Sequence, residues 1–194
     1  MNILVACEFS GLVRDAFRAK GHNAISCDLE PSERPGPHYQ GDVRDILSDQ
    51  WDMLIAFPPC TYLCIAGSNW WYRQPWRLDA QKEALEFVRL LMAAPVERIA
   101  IENPVGVISS RIRKPDQMIQ PYWYGEVYSK KTCLWLKNLP PLIAGCQTIG
   151  YKSNWFVNNA PGRGDARRKH NSRTFPGIAQ AMADQWLAES AGVA

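Results

Sequence analysis

The chain has 194 residues, 46% of them hydrophobic, enough to bury a full core in a single domain spanning residues 1–194 without disulfide or metal staples. No run of about 18 apolar residues occurs, which excludes a transmembrane helix. The opening stretch, residues 1–7, has no basic flank and reads into a strand rather than a secretory signal. The formal net charge of +3 conceals a division: residues 1–110 carry 10 Lys/Arg against 14 Asp/Glu, whereas residues 111–173 carry 12 against 3. A basic second half suits a polyanionic partner, and it equally suits a solvated loop face with none.

Asn2–Ala6 is a short apolar strand followed by the turn Glu8-Phe9-Ser10-Gly11. Leu12, Val13, Ala16 and Phe17 then recur at helical spacing, with a stop at Gly21. Residues 24–27 form a second strand ending at Asp28, and residues 51–57 a third, closed by Pro58-Pro59. Residues 78–93 read as an amphipathic helix, 98–101 and 131–136 as strands, and 177–187 as a closing helix. Residues 145–172, rich in Gly, Asn, Lys and Arg, read as a long loop, and a small recognition excursion is expected within 138–172. Strands alternating with helices predict an α/β fold: a mostly parallel, doubly wound Rossmann-like sheet with helices on both faces.

Six cysteines are scattered at positions 7, 27, 60, 64, 133 and 146. The close pair Cys60 and Cys64 has no second pair or histidine at zinc spacing, so no metal is expected. Without a disulfide framework, reduced thiols in a cytoplasmic protein are the better expectation.

In doubly wound sheets ligands bind beyond the carboxyl ends of the strands. Four such ends, residues 7–11, 28, 57–60 and 102–104, each carry a polar or reactive group. Phe57-Pro58-Pro59-Cys60 places a soft nucleophile after two prolines that stiffen the turn. Ile99-Ala100-Ile101-Glu102 runs an apolar strand into a carboxylate, where desolvation raises a carboxyl pKa and suits proton donation to a ring nitrogen. On adjacent strands the two would share one pocket. The bland alternatives are a cysteine acting as a small hydrophobe and a loop-bonding glutamate.

With Pro58-Pro59-Cys60, Glu102-Asn103-Pro104-Val105 and the flanking residues 51–56 and 61–67, the chain resembles the DNA cytosine carbon-5 methyltransferases. The resemblance runs over residues 3–107 in motif order and extends weakly to 137, where Tyr124-Gly125 and Lys130-Lys131-Thr132 stand where the family has glutamine and arginines. It implies a class-I S-adenosylmethionine-dependent methyltransferase fold. It also implies Cys60 as the nucleophile on cytosine carbon 6, and Glu102 as the group that protonates nitrogen 3. Phe9-Ser10-Gly11 resembles the cofactor loop, with Glu8 beside it, while Asp28, Asp42 and Pro58 complete the implied cofactor site.

DNA, double- or single-stranded, is the implied partner of a monomer or weak homodimer. Candidate contacts are Trp70 and Arg73 in an aromatic stretch interleaved with arginine, then Lys130, Lys131, Arg167, Arg168, Lys169 and Arg173. The sequence leaves rivals open: action on RNA or a free nucleotide, a variant methyl donor, or an inactive relative that only binds nucleic acid.

Overall fold

Residues 1–65, 73–145, 153–154 and 164–187 are described by the structure, a computed structural model. Its centre is a strand of four consecutive, wholly buried apolar residues, Ile3 to Ala6, within β1 (Asn2–Ala6). A run apolar on both faces belongs in a sheet covered on both sides. The same holds for β4 (Met53–Ala56) and for Ile99, Ala100 and Ile101 of β5 (Arg98–Pro104). With β2 (Asn23–Asp28), β3 (His38–Gln40), β6 (Gln117–Ile119) and β8 (Thr132–Lys137), these strands form one seven-stranded sheet in the order β3-β2-β1-β4-β5-β8-β6. Every neighbouring pair from β3 to β5 is parallel, and β8 runs antiparallel to both β5 and β6. A separate parallel pair joins β7 (Tyr128–Ser129) to β9 (Ser153–Asn154).

Alternate residues of the central strands feed two cores. Leu4, Ala6, Leu54, Ala56, Ile99 and Ile101 pack with Leu85, Val88 and Leu91 of α2 (Trp76–Met92). Ile3, Val5, Met53 and Ile55 pack with Val13 and Phe17 of α1 (Leu12–Ala19), and with Ile178, Ala179 and Met182 of the last helix, α5 (Pro176–Gln185). Helices therefore cover both faces, and the sheet is mostly parallel, as the strand–helix alternation predicts. A short helix, α3 (Ile108–Arg111), follows β5.

The third strand is shorter than residues 51–57, because Pro58 has no N–H to extend the ladder beyond the Phe57 N–H, which donates to Ala6 O at 3.0 Å. The short, polar edge strand β3 and the three-residue β6 have too few residues to display a period. A larger correction falls in 145–172, read as loop: Asp165–Ser172 is a helix, α4, entered through Gly164 at φ 74°. Its sequence, Asp-Ala-Arg-Arg-Lys-His-Asn-Ser, has no apolar stripe and so gives no amphipathic signal. Residues 146–152 and 155–163 of the expected excursion lie outside the described residues. No helix among the described residues is long and apolar enough to cross a membrane.

Strand order reverses around β1, whose neighbours β2 and β4 lie on either side. The loops leaving β1, β2, β4 and β5 therefore open on one edge of the sheet, at the switch point where such folds bind ligands.

Candidate active site

Ala56 is paired with Ile101, so Glu102 stands one residue beyond that pair and Pro58-Pro59-Cys60 continues past it from β4. Three contacts fix the two loops to each other. The buried Asn103 side chain donates to Pro58 O at 2.7 Å, Val107 N–H to Leu63 O at 2.8 Å, and Ile65 N–H to Val105 O at 3.2 Å. Gly106 permits this approach: a Cβ there would lie 1.9 Å from Leu63 O. Within its own turn, Cys60 O accepts the N–H groups of Leu63 at 3.0 Å and Cys64 at 2.9 Å.

Cys60 is a free thiol in the wall of a cavity of about 470 Å³, with Phe57, Pro59, Thr61, Cys64, Pro104 and Lys130 among its neighbours there. Burial pushes the thiol up to about 11. Cys64 and Glu102 act in the same direction, while Lys130 opposes them. Burial also raises the Glu102 carboxyl above its ordinary value, against the pull of Lys130 and a hydrogen bond from Thr132. The pairing of Pro104 with Thr132 explains the third member: β8 returns antiparallel along β5, and Lys130 lies two residues before β8 begins.

A second cavity, about 680 Å³, adjoins the first, and Cys7, Asp28, Pro59 and Thr61 line both. Its other walls include Asp42, Val43, Pro58, Tyr62 and Phe87. Asp28, at the end of β2, is raised by burial. Asp42 begins a 3-10 turn, accepts from Arg44 N at 2.9 Å and pairs with the Arg44 guanidinium at 2.7 Å, which together hold its carboxyl below the usual range. Asp28, Asp42 and Pro58 are thus brought together as the resemblance implies.

The 8–11 turn is built differently. Phe9 lines the Cys60 cavity, whereas Glu8, Ser10 and Gly11 line neither cavity. Glu8 accepts from Ser10 Oγ and from Leu12 N at 2.9 Å, capping α1, and burial raises its carboxyl. Gly11 adopts φ 74°, and a Cβ there would meet the Arg14 guanidinium at 2.5 Å. The glycine therefore serves Arg14, a wholly buried residue that the sequence did not single out. Arg14 bonds Asp15 at 2.8 Å, Ser26 and Ser32 at 3.1 Å each, and Pro35 O at 3.1 Å, fastening the loop after β2.

The basic candidates scatter. Lys130 is only 7% exposed and faces the Cys60 cavity rather than an outer surface. Lys131 and Arg73 are exposed and line neither cavity. On α4, Lys169 bonds Glu30 at 2.8 Å and lines the Cys60 cavity. Arg173, just after it, grips both carboxylate oxygens of Glu33 at 2.8 and 2.6 Å. Arg167 is exposed; Trp70 and the Arg168 side chain lie outside the described residues. Cys7 is held at φ 56° at the junction of the two cavities. A non-glycine residue in that left-handed region is uncommon. No sequence pattern signals it. Among the described residues no cluster of three or more His, Cys, Asp or Glu forms a metal site.

No protein-family model matches the chain, and no curated protein matches it significantly. The site's own geometry therefore carries the functional argument.

Proposed function

We propose that the chain is an S-adenosylmethionine-dependent methyltransferase acting on carbon 5 of cytosine in DNA. The observation that carries this reading is the placement of Cys60 and Glu102 beyond the paired ends of the adjacent strands β4 and β5, with a second cavity next to Cys60 that carries two carboxylates. The second cavity fits the implied cofactor. Asp28 and Asp42 offer acceptors for ribose hydroxyls and an adenine amine, and Val43 and Phe87 offer apolar walls for a base. When bound, that cofactor supplies the methyl group.

The chain's own residues prepare the base. Cys60 gives its proton to solvent water and forms a bond from sulfur to carbon 6, displacing the ring π electrons toward carbon 5. Glu102 holds a proton at nitrogen 3, which neutralises the charge that the addition drives into the ring. Loss of the carbon-5 proton to solvent water afterwards returns an electron pair to the ring and releases the Cys60 sulfur as thiolate. Inside a duplex the base must first leave the stack, at a cost of about a few kcal/mol.

One observation favours a second reading, an RNA or free pyrimidine nucleotide as substrate. Lys169, Asn171 and Ser172 wall the Cys60 cavity with this chain's own α4, leaving a confined chamber that suits a single nucleotide. Mass spectrometry of nucleosides from the DNA, RNA and nucleotide pool of cells expressing the chain decides between them. 5-Methylcytosine in DNA is the expected product. Enrichment confined to RNA or to the pool would overturn the DNA reading, and no new modified base in any fraction would overturn both.

A further inference from the structure

Helix α4 walls the Cys60 cavity with Lys169, Asn171 and Ser172, completing a chamber that also holds Cys7, Asp28, Glu30 and Lys130. A short helix normally stays on its domain by burying an apolar face. This one has no side chain both apolar and larger than alanine, and none of its described residues enters either core. It is fastened instead by polar contacts to distant parts of the chain. Lys169 Nζ meets Glu30 Oε2 at 2.8 Å, the Arg173 guanidinium takes both Glu33 oxygens at 2.8 and 2.6 Å, and Asn171 O accepts from Lys130 Nζ at 2.8 Å. Both ion pairs are partly exposed, so water and salt weaken them. The loop that carries the two carboxylates is fixed. Glu33 N–H donates to Phe9 O at 2.8 Å, Glu30 N–H to Asp28 Oδ1 at 3.0 Å, and Arg14 bonds Ser32 and Pro35 O at 3.1 Å each.

We propose that α4 is an ionic strap over the Cys60 cavity, held shut by Glu30 and Glu33 acting as internal substitutes for phosphates, and released when a nucleic-acid backbone takes Lys169 and Arg173. This inference rests on the polymer reading of the site. The charge chemistry is matched on both sides. A phosphate offers arginine the same two-oxygen fork that Glu33 offers, and it offers lysine the same single acceptor as Glu30. The exchange replaces one charge-assisted bond with another, and the freed carboxylates, already partly exposed, turn to water. Gly164 enters the helix at φ 74°, a conformation that suits glycine, and a glycine there lets the helix reorient without a side chain in the way. Shut, the strap leaves a confined chamber of about 470 Å³. Open, it gives a base carried on a strand a path to Cys60.

Two neutral thiol reagents of different size, iodoacetamide and the bulky pyrenylmaleimide, test the strap without any methyl transfer. Their rates at Cys60 are followed by peptide mass spectrometry in a Cys64→Ala background, and the ratio of bulky to small labelling cancels any change in the acidity of the thiol. Raising the salt should increase that ratio about threefold to tenfold. Glu33→Gln should raise it at low salt by a similar factor, and because Glu33 and Arg173 lie outside the cavity wall, the substitution cannot enlarge the chamber. The charge exchange Glu33→Arg with Arg173→Glu should restore closure. An oligonucleotide of abasic residues, which offers phosphates and no base to occupy the site, should raise the wild-type ratio at low salt. A ratio that neither salt nor Glu33→Gln moves overturns the strap. A ratio that both move but the abasic strand leaves unchanged overturns the backbone as its release. Nucleoside analysis of the wild type separates this inference from the reaction. Methylated cytosine in DNA with an unmoved ratio sinks the strap alone, whereas a moved ratio without any methylated base sinks the proposed reaction alone.

Discussion

The two adjoining cavities are assembled from very different lengths of chain. The larger draws every wall residue from positions 7–87, most of them on loops that leave β1, β2, β3 and β4 at one edge of the sheet. The smaller shares four of those residues but is completed by Pro104 from β5, Lys130 before β8 and three residues of α4 near the end of the chain. The first is a product of local order, in which each strand delivers its next residues to the same edge. The second depends on the one reversed strand and on a polar helix held by long-range contacts. A binding half and a reacting half built in these two ways should fail separately, and mutations can expose the seam.

The largest effect should come from Cys60→Ala. If the smaller cavity performs the covalent step, product formation falls to background, while affinity for S-adenosylmethionine, measured by calorimetry, stays within about twofold. Cys64→Ala should retain most of the turnover, because Cys64 shares the cavity without occupying the end of the proline turn. Substantial product from Cys60→Ala would remove covalent addition from the mechanism. The complementary break is Asp28→Ala in the larger cavity. Loss of a carboxylate acceptor for a ribose hydroxyl costs about 1.5–3 kcal/mol, so affinity for the cofactor should fall roughly 10- to 100-fold. Unaltered cofactor binding would mean that the cofactor lies elsewhere.

The same division explains what the sequence made legible. Uninterrupted apolar strands such as Ile3 to Ala6, and the reactive residues just beyond strand ends, announce themselves because period and position coincide. Asp28 and Pro58 stand at such ends, Asp42 is named by the resemblance alone, and the three line one cavity. The Glu8–Gly11 turn follows the resemblance in position, yet its glycine makes room for Arg14, a relation across a fold that one residue type cannot reveal. Lys130 was legible as a basic residue where the resembled family has arginines, and Lys169 only as positive charge. Their separate fates, one buried beside Cys60 and the other bonded to Glu30, are set by strand pairing and by a helix with no apolar stripe.

A smaller effect concerns stability. Burial raises the folded-state pKa of Glu102 above its unfolded value. A carboxyl shifted in this direction contributes stability below its unfolded pKa and loses it as pH rises through the folded value. Above the ordinary carboxyl range the desolvated carboxyl is therefore a burden that function retains, and Glu102→Gln should be more stable than wild type at neutral pH. Each kcal/mol relieved should raise the melting temperature by about 2–4 °C, with the gap closing as pH falls toward the ordinary carboxyl range. A wild type more stable than the variant at neutral pH would mean that the Thr132 and Lys130 interactions outweigh desolvation. The catalytic counterpart has the opposite sign: loss of a proton donor slows turnover about 10²- to 10⁴-fold.

The smallest effect lies where the two halves touch, at the Lys169–Glu30 and Arg173–Glu33 pairs. Both are partly exposed, so neither contributes more than about 1 kcal/mol to folding. Their consequence for nucleic acid is ionic. A lysine without an acidic partner that neutralises a phosphate releases close to one counterion and steepens the salt dependence of binding by about 0.9 in log–log form. Lys169 must instead exchange Glu30 for the phosphate, and the freed carboxylate gathers a cation from solution in return. Lys169→Ala should then flatten the salt slope by much less than one unit. Glu30→Gln removes the competing carboxylate, so it should tighten DNA binding and steepen the slope by up to about one unit, with melting temperature almost unchanged. If Lys169→Ala alone removes a full unit, Lys169 meets the phosphate without leaving Glu30, and α4 stays seated as DNA binds. If neither substitution alters the slope, α4 closes the reacting cavity and takes no part in holding the polymer.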